Sequence, residues 1–142
     1  MIGKYPAKLD DKNRLFVPAK LRGELGSTFY VTIGVNCGHR CLTVYTEEGW
    51  QKLTDKYDQL PIAQKSGATS LLFIYATECN PDKQFRFGLT QNLIEYAGID
   101  REVMIVGRAG QAEIWDAKEF AAFETENLSP EKLLASLEAI GL

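Results

Sequence analysis

Nowhere in these 142 residues does an apolar run approach the ~18 residues of a membrane-spanning helix, and Lys4, Lys8 and the Asp10-Asp11 pair interrupt the amino terminus where a signal-peptide core would lie. The expected location is therefore cytoplasmic. Histidine occurs once, at His39, and the chain lacks a nucleophile elbow and a glycine-rich phosphate loop. Catalysis thus has no constellation to stand on, and neither a cofactor nor a small-molecule substrate is expected. Cysteine is scarce as well: three thiols cannot all pair within one chain, and a chain of this size needs no disulfide framework, so reduced thiols are the simpler expectation. The loop Cys37-Gly38-His39-Arg40-Cys41 invites a zinc reading with Cys79 as a fourth ligand. Its C-x-H-x-C spacing is tighter than the usual structural knuckle, however, and nothing in the sequence brings Cys79 near it. No metal is expected.

Net positive charge is also missing, since the formal total is −3. The distribution matters more than the sum. Residues 1–26 carry Lys4, Lys8, Lys12, Arg14, Lys20 and Arg22 against Asp10, Asp11 and Glu24; residues 111–142 carry Lys118 and Lys132 against Glu113, Asp116, Glu119, Glu124, Glu126, Glu131 and Glu138. One end is suited to meet phosphate while the other stays away.

What the chain does contain is a duplication. Asp10-Asp11-Lys12-Asn13-Arg14-Leu15-Phe16-Val17-Pro18-Ala19-Lys20-Leu21, ending at Gly26, returns 72 residues later as Asp82-Lys83-Gln84-Phe85-Arg86-Phe87-Gly88-Leu89-Thr90-Gln91-Asn92-Leu93, ending at Gly98. Val44-Tyr45 is answered by Ile114-Trp115 and Trp50 by Phe120, at an offset of 70, which implies a two-residue difference in an intervening loop. Two copies are too few for a solenoid and point to two half-domains packed as a pseudo-symmetric pair.

Each copy reads as an extended segment, a polar turn, a short apolar strand and a brief helix. In the first, Lys4 to Leu9 alternates, Asp10 to Asn13 carries turn chemistry, and Leu15-Phe16-Val17 resumes the strand, predicting a hairpin with Arg14 at its tip. Pro18 and Gly26 bracket about two helical turns. Strands are predicted at Phe29–Ile33, Cys41–Tyr45, Val103–Gly107 and Ala112–Trp115, with Thr46 capping a helix to about Tyr57 and Asp116 one to about Phe123. The resulting organisation is a first repeat over 1–50, a helical connector over 51–73, a second repeat over 74–120 and a helical tail over 121–142. In that tail Leu133, Leu134, Leu137 and Ile140 share one face that should dock on the body or on a neighbour. Tyr5, Phe16, Phe29, Tyr30, Tyr45 and Trp50 permit stacking on single-stranded bases, but their strand and helix positions are better explained as core.

The Asp-x-x-x-Arg motif has its own physics. Asp10 and Asp82, at the start of their turns, can accept backbone N–H bonds two residues on and fix the loop, leaving Arg14 and Arg86 on the outgoing strand. An arginine fork matches guanine O6 and N7, or a phosphate. The alternative is that each arginine merely pairs with its own aspartate, and the two roles are compatible. Lys8, Lys12, Lys20, Arg22 and Lys83 lie near the two turns as candidate phosphate contacts.

These residues, together with Ala76-Thr77-Glu78-Cys79 and Ile114-Trp115-Asp116, resemble the MraZ family, each half being similar to a SpoVT/AbrB-type swapped-hairpin module. The resemblance covers about residues 1–120. It implies a mixed α/β fold of two β-hairpin-plus-helix repeats sharing a barrel-like core with peripheral helices. It further implies a transcriptional regulator of a cell-division and cell-wall gene cluster, nucleoid-associated, that binds G-rich direct repeats in double-stranded promoter DNA as a ring-shaped homo-oligomer. The residue before the arginine is commonly glycine in that family. Asn13 tolerates the left-handed backbone this suggests, whereas Phe85 must accept strain of about 1–2 kcal/mol or reshape the second turn. A ring-forming interaction scaffold with purely structural arginines is the rival reading.

Overall fold

A computed structural model describes residues 1–142 as eight strands and six helices. The strands are β1 (Lys4–Lys8), β2 (Arg14–Phe16), β3 (Phe29–Asn36), β4 (His39–Thr46), β5 (Thr77–Cys79), β6 (Arg86–Gly88), β7 (Glu102–Arg108) and β8 (Gln111–Asp116). The helices are α1 (Arg22–Leu25), α2 (Glu47–Gln59), α3 (Gly67–Ile74), α4 (Gln91–Ala97), α5 (Ala117–Asn127) and α6 (Pro130–Ile140). None is long and apolar enough to cross a membrane.

The turns do not close local hairpins. β1 pairs with β7 and β5 with β3, so each strand that enters an Asp-x-x-x-Arg turn belongs to the sheet of the other repeat. β2 and β6, which leave the turns, pair with each other. A two-stranded hairpin alone is marginal in water, and exchange gives every strand a partner and a buried face. The six-stranded sheet runs β1-β7-β8-β4-β3-β5, an order unchanged when each first-repeat strand is swapped for its counterpart. Where the pseudo-dyad crosses, a residue faces its own equivalent: Leu15 lies opposite Phe87 and Thr43 opposite Glu113.

The register also resolves the two-residue difference between copies. Phe29 opposite Thr46 corresponds to Val103 opposite Asp116, an offset of 74 in one strand and 70 in the other. Two residues are inserted before β7 and four are removed from the β7–β8 hairpin.

One core serves both repeats. Leu15, Leu21, Phe29, Val31 and Leu42 of the first pack with Phe87, Leu93, Val103 and Ile114 of the second. Phe29 meets Phe87 edge-on with ring centroids 5.1 Å apart, seating the β2–β6 ribbon on the large sheet. Each such side chain contributes about 1.5–3 kcal/mol through burial. A second cluster of Cys41, Val106, Trp115 and Phe120 lies under α5.

Capping follows the sequence closely. Thr46, Ser66, Thr90, Asp116 and Ser129 each accept a backbone N–H from the first turn of α2, α3, α4, α5 and α6. α5 outlasts its expected end at Phe123 and continues to Asn127. In the first repeat Pro18 offers no side-chain cap, and a 3-10 turn over Ala19–Leu21 precedes α1, which stops at Gly26 with φ 69° and ψ −157°, a conformation open to glycine. The connector forms α3, held where Thr32 Oγ1 donates to the Leu72 carbonyl at 2.6 Å. Phe73 packs against Trp50 and Tyr57, centroids 5.4 and 4.7 Å away, and Trp50 stacks on Tyr30 at 5.0 Å. Of the aromatics expected in the core, only Phe29 is buried; Tyr5, Tyr30, Tyr45 and Trp50 are half-buried, the last three with Tyr57 and Phe73 in a stack beside the sheet, and Phe16 is 56% exposed. Helix α6 does not dock on the body, since Leu133 and Leu134 are each 58% exposed.

Candidate nucleic-acid interface

The two Asp-x-x-x-Arg turns are built alike. Asp10 Oδ1 accepts the backbone N–H of Lys12 at 2.9 Å and of Arg14 at 2.8 Å, while Oδ2 accepts Arg14 Nε at 2.8 Å. Asp82 repeats this with Gln84 at 2.9 Å, Arg86 N at 3.0 Å and Arg86 Nε at 2.9 Å. Partial desolvation opposes ionisation of Asp10, but the Arg14 N–H, its guanidinium and the Lys12 N–H outweigh it and hold the carboxyl below its usual range. At Asp82 the Arg86 N–H dominates in the same direction, against desolvation and with help from the guanidinium and Gln84.

Asn13 and Phe85 both adopt left-handed backbone, φ 57° and 62°, so the second turn keeps its shape and accepts the strain. Two cross-repeat bonds lock these positions: Leu89 N donates to the Asn13 carbonyl at 2.9 Å and Val17 N to the Phe85 carbonyl at 2.8 Å. Compensation comes from Arg22, whose guanidinium lies 3.9 Å above the Phe85 ring and whose Nε donates to the Val17 carbonyl at 3.0 Å.

Pairing of β2 with β6 brings the arginines of distant repeats together. Leu15 and Phe87 point inward, so Arg14, Phe16, Arg86 and Gly88 share the outer face of the ribbon. Arg14 stands opposite Gly88, and Arg86 opposite Phe16. Only Nε of each arginine is spent on its aspartate; the terminal amino groups make no protein hydrogen bond, and the side chains are 30% and 27% exposed. Lys12, Lys20 and Lys83 are exposed, and no carboxylate lies within salt-bridge distance of them. Lys8 forms an exposed pair with Glu102 at 3.7 Å, and Arg101 approaches Asp11 at 3.9 Å.

Phe16, expected in the core, lies instead on the side of Arg14, as strand alternation through Arg14-Leu15-Phe16-Val17 requires. Arg101 gave no local signal, because the β1–β7 pairing that sets it beside the first turn is nonlocal.

The thiols gather no metal site. Burial pushes Cys41 up to about 12, with the Glu113 carboxylate adding to it, and burial likewise pushes Cys79 up to about 12. His39 is committed to two carboxylates, Nε2 to Glu126 at 2.7 Å and Nδ1 to Glu119 at 2.5 Å. No group of three or more His, Cys, Asp or Glu side chains is arranged to hold an ion.

The family model described as "MraZ protein, putative antitoxin-like" matches residues 1–71 and again 72–137, one match for each exchanged repeat. The chain is 38% identical over 144 residues to the transcriptional regulator MraZ of Halothermothrix orenii, covering 99% of each protein. It is 39% identical over 145 residues to the protein of that name from Caldicellulosiruptor bescii, covering all of this chain and 99% of the relative. A third such regulator, from Clostridium beijerinckii, is 34% identical over 143 residues and 99% of each chain. These names are a regulator's and not an enzyme's. With both halves matched by the family model and relatives aligned from end to end, the chain belongs to the MraZ family.

Proposed function

We propose that this protein is a transcriptional regulator that grips double-stranded DNA with the β2–β6 ribbon. The observation that carries the reading is the placement of Arg14 and Arg86 on one outer face, each anchored through Nε with its amino groups open. A two-stranded ribbon fits the major groove, and an arginine fork is the commonest reader of guanine. Anchoring by Asp10 and Asp82 removes side-chain freedom before binding, so less entropy is lost on contact. Lys12, Lys20 and Lys83 extend the basic face towards flanking phosphates, with Lys8 and Arg22 beside them.

One such ribbon is a small surface, and single-protomer affinity is weak by that measure. Assembly into a ring of identical subunits offers several ribbons to tandem G-rich repeats spaced near a helical turn, raising the effective concentration of each later contact. A cell-division and cell-wall gene cluster is the regulated target this reading carries, with the protein on the nucleoid. The rival, an interaction scaffold, is favoured by the unpartnered apolar face of α6. Selection of bound duplexes from a random pool separates the two: recovery of G-rich direct repeats supports the regulator, and a pool with no enriched motif supports the scaffold.

A further inference from the structure

Phe16 and Phe85 are the large apolar side chains exposed around the turns and the ribbon, and they differ in what covers them. Phe85 lies beneath the Arg22 guanidinium. Phe16 has no such cover: its ring makes no aromatic or cation contact within the chain, yet it sits on the outer ribbon face between Arg14, two residues back, and Arg86, directly across the ladder. A shallow groove beside it is bordered by Tyr5, Pro18, Lys20 and Arg22. An apolar ring set among cations on the face that meets the ligand needs a partner that is anionic overall and apolar at one point.

The major groove of duplex DNA is such a partner, because the C5-methyl of thymine is its one apolar feature and phenylalanine is among the side chains that meet it. We infer that Phe16 reads a thymine methyl next to the base addressed by Arg86, making it a specificity-determining residue; the inference rests on the proposed DNA-binding function. The duplication sharpens it. Position 88, the counterpart of Phe16, is glycine, so the ribbon is apolar at one end of its outer face and bare at the other. A ribbon with near two-fold backbone symmetry therefore presents an unsymmetrical reading face. That is what a protein needs to tell the two directions of a direct repeat apart.

The test uses the intact protein and a duplex recovered by selection, with each thymine replaced in turn by uracil, which removes only the methyl group. Wild-type affinity should fall about fourfold at one thymine per bound repeat, the worth of one buried methyl, and Phe16→Ser should bind more weakly but show no response to the same replacement. Phe16→Leu should retain a partial response. Circular dichroism and the urea midpoint of each variant confirm that an exposed substitution leaves the fold intact. The inference is overturned if wild-type protein is indifferent to every replacement, or if wild type and Phe16→Ser lose equally at the same thymine. Failure of the wild type to bind any duplex is a different outcome, and it removes the DNA-binding reading itself.

Discussion

The ionic-strength dependence of binding can be worked from the charged groups on the ribbon face. Arg14 and Arg86 are each paired with their own aspartate and address base edges, so Lys12, Lys20 and Lys83, which have no carboxylate partner, are the three cations free to replace counterions for each protomer engaged. Each neutralised phosphate contributes a slope of about −0.9, so log affinity against log salt should fall with a slope of about −2.7 per protomer. A rise from about 50 to 200 mM salt then weakens binding by about 40-fold. Fluorescence anisotropy of a labelled single-repeat duplex across a potassium chloride series measures this directly. Lys12→Ala, Lys20→Ala and Lys83→Ala should each flatten the slope by about 0.9 without changing which sequences are preferred. Lys8 and Arg22, already engaged by Glu102 and by Phe85, should change it less. A wild-type slope shallower than about −1, or three lysine variants with the slope of the wild type, refutes the reasoning.

Three further outcomes follow from the same geometry. Asp10→Ala removes a negative charge from a basic face yet should lower affinity for the selected duplex, because Arg14 loses the anchor at Nε; tighter binding would show that the aspartate only repels DNA. Phe87→Ala opens the shared core at the pseudo-dyad and should cost about 3–5 kcal/mol in urea unfolding, a large part of the ~5–15 kcal/mol typical of a domain; a loss below about 1 kcal/mol would mean the ribbon is not seated as described. His39 is held above its ordinary value, chiefly by hydrogen bonds to Glu126 and Glu119, so its contribution is complete below about pH 6.5 and is lost as pH rises through the elevated value. The stability difference between wild type and His39→Gln should therefore be larger at pH 6 than at pH 9, and an equal difference at both pH values would contradict the two-carboxylate clamp.

Much of the architecture is legible from local chemistry. The 72-residue echo, the Thr46 and Asp116 caps and the Ser129-Pro130 helix start depend on residues within a turn of one another, and the structure contains each of them. The strand exchange is not local. Nothing in Lys4–Leu9 distinguishes pairing with Leu15–Val17 from pairing with β7, since alternation reports a buried face and not the identity of the neighbour. The 70-residue offset likewise compresses two opposing length changes into one net figure, which only the β3–β4 and β7–β8 registers separate. Glu113 shows the same limit: it reads as part of an acidic tail, yet at 2% exposure it accepts from Trp115 Nε1, Arg108 Nη1 and Asn36 Nδ2 beside the pseudo-dyad. At the candidate interface the sequence identifies the arginines and the aspartates that hold them, whereas their convergence on one ribbon face, and Phe16 between them, require the cross-repeat ladder.

Affinity of the Arg14→Ala, Arg86→Ala double variant for a selected duplex is the most direct measurement of the central claim. The account predicts a loss of about 30-fold or more, at least ~1 kcal/mol for each fork removed from a guanine, with circular dichroism and the urea midpoint close to wild type. Affinity within about twofold of wild type in a folded double variant would contradict it, leaving the two guanidinium groups as fasteners of their own turns.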